Sequence, residues 1–216
     1  MHKALALAHY IDHTNLAPEA TSIDIAKLCD ESVQYNFHSV CVNPFWVPFV
    51  YKRLEKSPIQ VCTVIGFPLG CNLSKTKADE AKQTFDLGAD EFDMVINIGL
   101  VKEGDWSSII GEIHQVVEAV KGKCVKVILE TCLLTKEEII KACQASEKAG
   151  AHFVKTSTGF SKAGASTEAV VIMRHSISST MGVKASGGIK DKQTAIAMIE
   201  AGATRIGASS SIAIIS

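Results

Sequence analysis

The sequence predicts a single-domain (β/α)8 TIM barrel over residues 1–216, and three observations carry that expectation. Short runs rich in β-branched residues alternate with longer amphipathic stretches along the whole chain. There are eight such runs. A weak repeat, Leu87-Gly88-Ala89, Ala149-Gly150-Ala151 and Ala201-Gly202-Ala203, closes three of the amphipathic stretches just before the next run, where glycine suits a helix C-terminus.

In order, strands are expected at 10–14, 38–42, 61–65, 91–97, 125–131, 152–157, 182–186 and 205–208, and helices between them at 19–35, 44–54, 75–87, 106–120, 136–149, 167–178 and 192–201. Continuous βα alternation implies right-handed crossovers and a parallel sheet covered by helices. Alternation alone also fits an open doubly wound sheet; eight units favour the closed barrel. With the sequence ending at Ser216, any helix after the eighth strand is expected to be very short.

With 216 residues and 47% hydrophobic content, one substantial core is expected and a second domain is not. The 22 basic and 23 acidic residues give a formal charge of -1, which supplies no long-range field for nucleic acid or an anionic membrane. A small molecule is the expected partner. Seven cysteines form no C-x-x-C pair and read as reduced thiols of a cytoplasmic protein. The apolar opening, residues 1–8, is interrupted by His9 and Asp12 before it makes a targeting or membrane segment. The histidines, from His2 to His175, lack the H-E-x-x-H or close Cys/His spacing of a zinc site, so no metal is expected. Trp46 and Trp106 fall in expected helices and read as packing or interface residues.

Lys126, Lys155 and Lys184 each follow a valine inside an expected strand and lie 29 residues apart in each case, so they occupy equivalent places in successive units. A strand buried on both faces should be nearly all apolar, and an unpaired buried ammonium is costly. One such lysine would read as a side chain that snorkels to the surface or pairs with a carboxylate. Three in register, with Asp93 inside another apolar run, read instead as side chains meeting at the C-terminal mouth of a barrel, where barrel enzymes place their chemistry. Crowded cations and partial desolvation disfavour a protonated amine. A neutral amine attacks carbonyls, the requirement of covalent Schiff-base catalysis.

Three loops after successive strands could hold a phosphate: Thr156-Ser157-Thr158-Gly159, Ser186-Gly187-Gly188-Ile189-Lys190 and Gly207-Ala208-Ser209-Ser210-Ser211. Glycines admit close backbone approach to an anion and serine hydroxyls donate to it. Each alone reads as ordinary turn chemistry; their places after strands 6, 7 and 8 point to a phosphorylated substrate. His13 reads equally as a site contact or a polar loop residue, and Cys41 as a pocket thiol or an inert core one.

Seven segments spread over nearly the whole chain, including Ile11-Asp12-His13-Thr14-Asn15-Leu16, Val40-Cys41-Val42-Asn43-Pro44, Thr63-Val64-Ile65-Gly66-Phe67-Pro68, Glu91-Phe92-Asp93-Met94-Val95-Ile96-Asn97, Val127-Ile128-Leu129-Glu130-Thr131, Phe153-Val154-Lys155-Thr156-Ser157-Thr158-Gly159 and Val183-Lys184-Ala185-Ser186-Gly187-Gly188-Ile189, resemble the deoxyribose-phosphate aldolase family. The resemblance implies a metal-independent lyase of deoxyribonucleotide catabolism. It would reversibly cleave 2-deoxy-D-ribose 5-phosphate to D-glyceraldehyde 3-phosphate and acetaldehyde without a cofactor. It further implies Lys155 as the Schiff-base lysine, Lys184 as its perturbing neighbour, Asp93 as a proton carrier with an ordered water, and Lys126 as a positioning charge. Asp12, Thr14, Cys41 and Thr158 would bind the substrate, and Gly159, Gly187, Gly188, Lys190, Gly207, Ser209 and Ser210 its phosphate.

Two positions depart from the family pattern. Ser211 stands where a glycine often follows the phosphate-binding serines, and tyrosine occurs only at Tyr10, Tyr35 and Tyr51, so the methyl proton step would fall to Asp93 and water. A short last helix would leave barrel surface for a second copy, giving a homodimer. Two rivals stay open from the residues alone: a phosphosugar isomerase or epimerase using Asp93 without a covalent lysine, and a non-catalytic phosphate-binding barrel.

Overall fold

The computed structural model describes residues 7–216. His2 and most of the apolar opening lie outside the described residues.

Eight parallel strands close into one barrel in chain order: β1 (Ile11–Asn15), β2 (Ser39–Val42), β3 (Gln60–Ile65), β4 (Glu91–Val95), β5 (Cys124–Ile128), β6 (Phe153–Lys155), β7 (Gly182–Ser186) and β8 (Arg205–Ala208), which pairs back to β1. The open-sheet alternative is thereby excluded. The connecting helices are α1 (Ser22–Tyr35), α2 (Val47–Leu54), α3 (Ser74–Asp86), α4 (Ile98–Glu103), α5 (Trp106–Ala119), α6 (Lys136–Lys148), α7 (Thr167–His175), α8 (Lys192–Glu200) and α9 (Ser211–Ile215). Among the described residues, no helix is long and apolar enough to cross a membrane.

Where boundaries differ from expectation, a cap or turn decides. The first helix starts at Ser22 because Thr21 caps it reciprocally with Asp24. Pro44 and Pro48 divide the segment expected at 44–54 into a 3-10 turn (Pro44–Trp46) and α2. Strands expected to reach residues 97 and 131 stop earlier: Asn97 caps the unexpected α4, and Glu130 takes up a left-handed conformation at φ +57°. Gly88, Gly150 and Gly202, the centres of the repeat, all have positive φ just beyond a helix.

Side chains alternate across each strand, and the two faces differ in character. Val40, Val61, Phe92, Val125, Val154, Val183 and Ile206 belong to the buried apolar cluster between sheet and helices. Asp12, Glu91, Asp93, Lys126, Lys184 and Arg205 occupy the opposite parity and are buried inside the barrel. The apolar filler there is small, with Cys41, Cys62 and Val64 clustered beneath Leu16 and Phe67. Barrel interiors are usually packed with branched apolar residues; this one is held by charges. One glycine makes room for them and another for a neighbouring ring. A Cβ at Gly207 would lie 3.0 Å from Lys184 Cε, and one at Gly182 would run into the Phe153 ring.

A second buried ion pair braces the outside of β4. Lys77 on α3 donates from Nζ to Glu112 Oε1 on α5 (2.9 Å) and to the Val95 carbonyl (2.8 Å), while Glu112 Oε1 also accepts from the Asn97 backbone N–H (3.1 Å). The end of the strand that carries Asp93 is thus tied to two helices. All seven cysteines are free thiols.

Candidate active site

The strand register sets the site. Asp93 pairs with Lys126 across β4 and β5, Lys155 with Lys184 across β6 and β7, and Lys184 with Arg205 across β7 and β8. Inward parity then sends all these side chains toward the barrel axis.

The three lysines converge on one carboxylate. Asp93 Oδ1 accepts from Lys126 Nζ at 2.8 Å, and its Oδ2 accepts from both Lys155 Nζ (2.8 Å) and Lys184 Nζ (2.7 Å). Lys184 is also 2.5 Å from Asp12 Oδ2, and Lys126 is 2.7 Å from Glu91 Oε2. Arg205 then bridges Asp12 (2.9 Å) and Glu91 (3.1 Å) from below.

Burial alone would raise the Asp93 carboxyl, but the surrounding ammonium groups of Lys126, Lys155 and Lys184 overturn that and hold it well below the usual carboxylate range. Asp12 is likewise held low against burial, chiefly by Lys184 and Lys126. Lys126 and Lys184 go the other way: burial opposes their charge, yet the adjacent carboxylates raise both above the ordinary lysine value. The expectation that crowded cations lower their neighbours is therefore corrected for these two, because each touches two carboxylates.

Lys155 differs from them in place. Lys126 and Lys184 are fully buried, whereas Lys155 lies at the end of β6 and lines a cavity of about 560 Å³ at the barrel mouth. The cavity walls include Thr14, Leu16, Thr158, Gly159, Phe160, Gly187, Gly188, Ile189, Gly207 and Ser209. The loops after β6, β7 and β8 thus meet around one space, with Gly159, Gly187 and Gly188 all at positive φ.

Other candidates fall around it unequally. Thr14 faces the cavity and donates from Oγ1 to the Asp12 carbonyl (2.8 Å). Asp12 and Cys41 are fully buried below it, Asp12 in the ion network and Cys41 against Cys62. Hydrogen bonding from Cys62 lowers the Cys41 thiol, whereas burial pushes Cys62 well up. Lys190 is exposed, and neither it nor Ser210 lines the cavity. His13 turns outward, its ring between Ser211 Oγ (2.8 Å) and Glu31 Oε2 (2.9 Å), so it is a packing residue. Ser211 is buried there, also donating to the Ala208 carbonyl (3.0 Å). Trp46 and Trp106 pack against the core.

Asp12, Glu91 and Asp93 are already engaged by ammonium groups, and Cys62 Sγ lies 3.3 Å from Lys126 Nζ. This donor set is suited to organising lysines.

Three participants escaped the sequence reading. Glu91 and Arg205 had a signal, since Glu91 stands two residues before Asp93 and so shares its inward face. Glu130 had none. It is 2% exposed, and its carboxylate takes the Thr158 backbone N–H (3.3 Å) and hydroxyl, while Thr158 Oγ1 in turn accepts from Phe160 N (3.0 Å). Phe160 sets its ring edge-on to Phe67 (centroids 5.3 Å apart). Glu130 thereby latches the loop that follows Lys155.

Comparison with known proteins agrees with this geometry. The chain is 54% identical over 209 residues to a deoxyribose-phosphate aldolase from Mannheimia succiniciproducens (97% of this chain, 93% of the relative) and 56% identical over 210 residues to one from Clostridium novyi (97% and 95%). The solved structure of a tetrameric deoxyribose phosphate aldolase from Aeropyrum pernix superimposes with a TM-score of 0.93 at 34% identity, covering 100% of this chain and 92% of that one. The family model described as DeoC/LacD family aldolase matches residues 6–216. With its lysine cluster, its closed barrel and matches of this extent, the chain belongs to the DeoC/LacD family of aldolases.

Proposed function

We propose that this lyase is a deoxyribose-phosphate aldolase that reversibly cleaves 2-deoxy-D-ribose 5-phosphate to D-glyceraldehyde 3-phosphate and acetaldehyde through a Schiff base on Lys155. The observation that carries the reading is the placement of the Lys155 amine: at the floor of a glycine- and serine-lined cavity and 2.8 Å from Asp93, while its two neighbours are buried out of reach.

In the synthetic direction the free-base Lys155 amine attacks the acetaldehyde carbonyl, and the carbinolamine loses water to give an iminium. A methyl proton then leaves and the C–N π electrons fall back onto nitrogen, giving an enamine. Its carbon attacks the aldehyde of glyceraldehyde 3-phosphate, and hydrolysis of the new iminium releases the sugar. Asp93, through an ordered water, carries the protons; Lys184 donates to the same Oδ2, and its charge favours negative charge developing above it. Lys126 holds the other oxygen and fixes the carboxylate.

Asp12, Thr14, Cys41 and Thr158 shape the substrate end of the site. The phosphate is held by Gly159, Gly187, Gly188, Gly207 and Ser209, which line the cavity, with backbone amides as the main donors, while Lys190 and Ser210, expected to share in this, stand outside the cavity wall. An isomerase using Asp93 without a covalent lysine is disfavoured because Lys155, and not the fully buried Asp93, lines the cavity.

One domain over residues 1–216 carries all of this, and free thiols support a cytoplasmic location. Self-association, as in the expected homodimer, is supported by the exposed Phe45, Tyr51 and Leu87 side chains; the Aeropyrum pernix relative is a tetramer.

A coupled assay for glyceraldehyde 3-phosphate tests the reading. The wild type should cleave deoxyribose 5-phosphate, and Lys155→Ala should abolish turnover while still binding inorganic phosphate. Turnover retained by Lys155→Ala would contradict it.

A further inference from the structure

The charges inside the barrel do not stop at the three lysines beneath the cavity. From Asp93 the ion pairs continue through Lys126 and Lys184 to Glu91 and Asp12, and both of these carboxylates end on the Arg205 guanidinium. Arg205 begins β8, at the opposite end of the barrel from the cavity, and stacks over the Phe153 ring at 5.3 Å. It is buried there and does not line the cavity.

We propose that Arg205 is a positioning residue that acts on Lys155 through charge. With it, the interior holds four cationic side chains, Lys126, Lys155, Lys184 and Arg205, against three carboxylates, Asp12, Glu91 and Asp93. The set balances only when one amine is neutral. Lys126 and Lys184 each hold two close carboxylates; Arg205 stays protonated. Lys155 shares a single carboxylate oxygen with Lys184 and alone borders the cavity, so it is the amine on which the surplus charge bears. The inference rests on Lys155 being the imine-forming amine.

Other titratable groups facing this column are few. His38, the residue before β2, lies 3.2 Å from Glu91. The thiols of Cys62 and Cys124 border Lys126 and Arg205, and Cys41 borders Cys62.

Removing Arg205 leaves three cations against three carboxylates, a set balanced with Lys155 protonated. Loss of one interior charge from a coupled set of this kind corresponds to a shift on the order of one pH unit. The experiment is borohydride trapping of acetaldehyde on the intact protein from pH 5 to 10, read by peptide mass. In Arg205→Gln the midpoint of Lys155 labelling should rise by about one pH unit, and in Glu91→Gln, which removes a negative charge, it should fall by a similar amount. Arg205→Lys should keep the wild-type midpoint. An unmoved midpoint in either neutral variant, or an equal rise in Arg205→Lys, overturns the proposal. If Arg205→Gln fails to fold, the Glu91→Gln and Arg205→Lys midpoints decide it alone. Absence of label on Lys155 in the wild type is a different result, and it removes the proposed function instead.

Discussion

Lys155 Nζ lies 2.8 Å from Oδ2 of Asp93, the same oxygen that accepts from Lys184 Nζ. The amine proposed as the nucleophile and an ammonium whose charge Asp12 and Asp93 favour therefore share one acceptor. Asp93→Asn keeps the shape and removes the charge, leaving Lys126 and Lys184 buried with weaker compensation. Turnover should fall at least about a hundredfold, and unfolding free energy by about 3–5 kcal/mol. Steady-state kinetics with urea denaturation checks both. A stable variant with near-normal turnover would remove Asp93 from the proton path.

Glu130 is expected to act on phosphorylated substrate through the Thr158 loop. Glu130→Gln replaces a charge-assisted acceptor of the Thr158 N–H and hydroxyl by a neutral one. KM for deoxyribose 5-phosphate should rise several-fold, with a stability loss of about 1–2 kcal/mol. Cleavage of unphosphorylated deoxyribose, assayed in parallel, should change less. Equal losses for the two substrates would mean that the latch supports Lys155 rather than the phosphate loop.

The Lys77–Glu112 pair predicts non-additivity. Lys77→Met strands a buried carboxylate and should cost about 3–5 kcal/mol. Lys77→Met combined with Glu112→Leu removes both charges and should recover most of that loss. Denaturant unfolding of the single and double variants provides the cycle. Additive losses would show that the pair is not one unit.

Acid should unfold the barrel through its interior carboxylates. Glu91 is held at about 2 against an ordinary 4.5, with burial opposing and Lys126, His38 and Arg205 lowering it, and Asp12 and Asp93 are depressed as well. A carboxyl lowered on folding contributes stability above its unfolded value and loses it as pH falls through the folded one. Glu91 alone therefore accounts for about 3 kcal/mol that drains between about pH 4.5 and 2. Unfolding free energies of the wild type and Glu91→Gln, followed down through this window, should converge toward the acid end. Parallel curves would contradict the assignment.

How much of this could be read from residues alone varies with the physics behind each part. Strand positions were legible because a doubly buried strand must be a short β-branched run, and the 29-residue spacing put Lys126, Lys155 and Lys184 on one face. The Glu91 and Arg205 contribution was harder, since each sits at a strand end where a charge ordinarily meets water. Glu130 was illegible: its inward carboxylate depends on a left-handed backbone that no neighbouring glycine or proline announces. His13 was ambiguous because one residue of strand parity separates the cavity side from the helix side. The sign of the charge effects needed coordinates too, because lysine spacing does not reveal how many carboxylates each amine meets.

Borohydride reduction with acetaldehyde at neutral pH reveals whether a single lysine of the three forms the covalent intermediate. Peptide mapping should find a single two-carbon adduct, on Lys155, with Lys126 and Lys184 unmodified. An adduct on either of those, or none on a protein that cleaves deoxyribose 5-phosphate, would contradict the account.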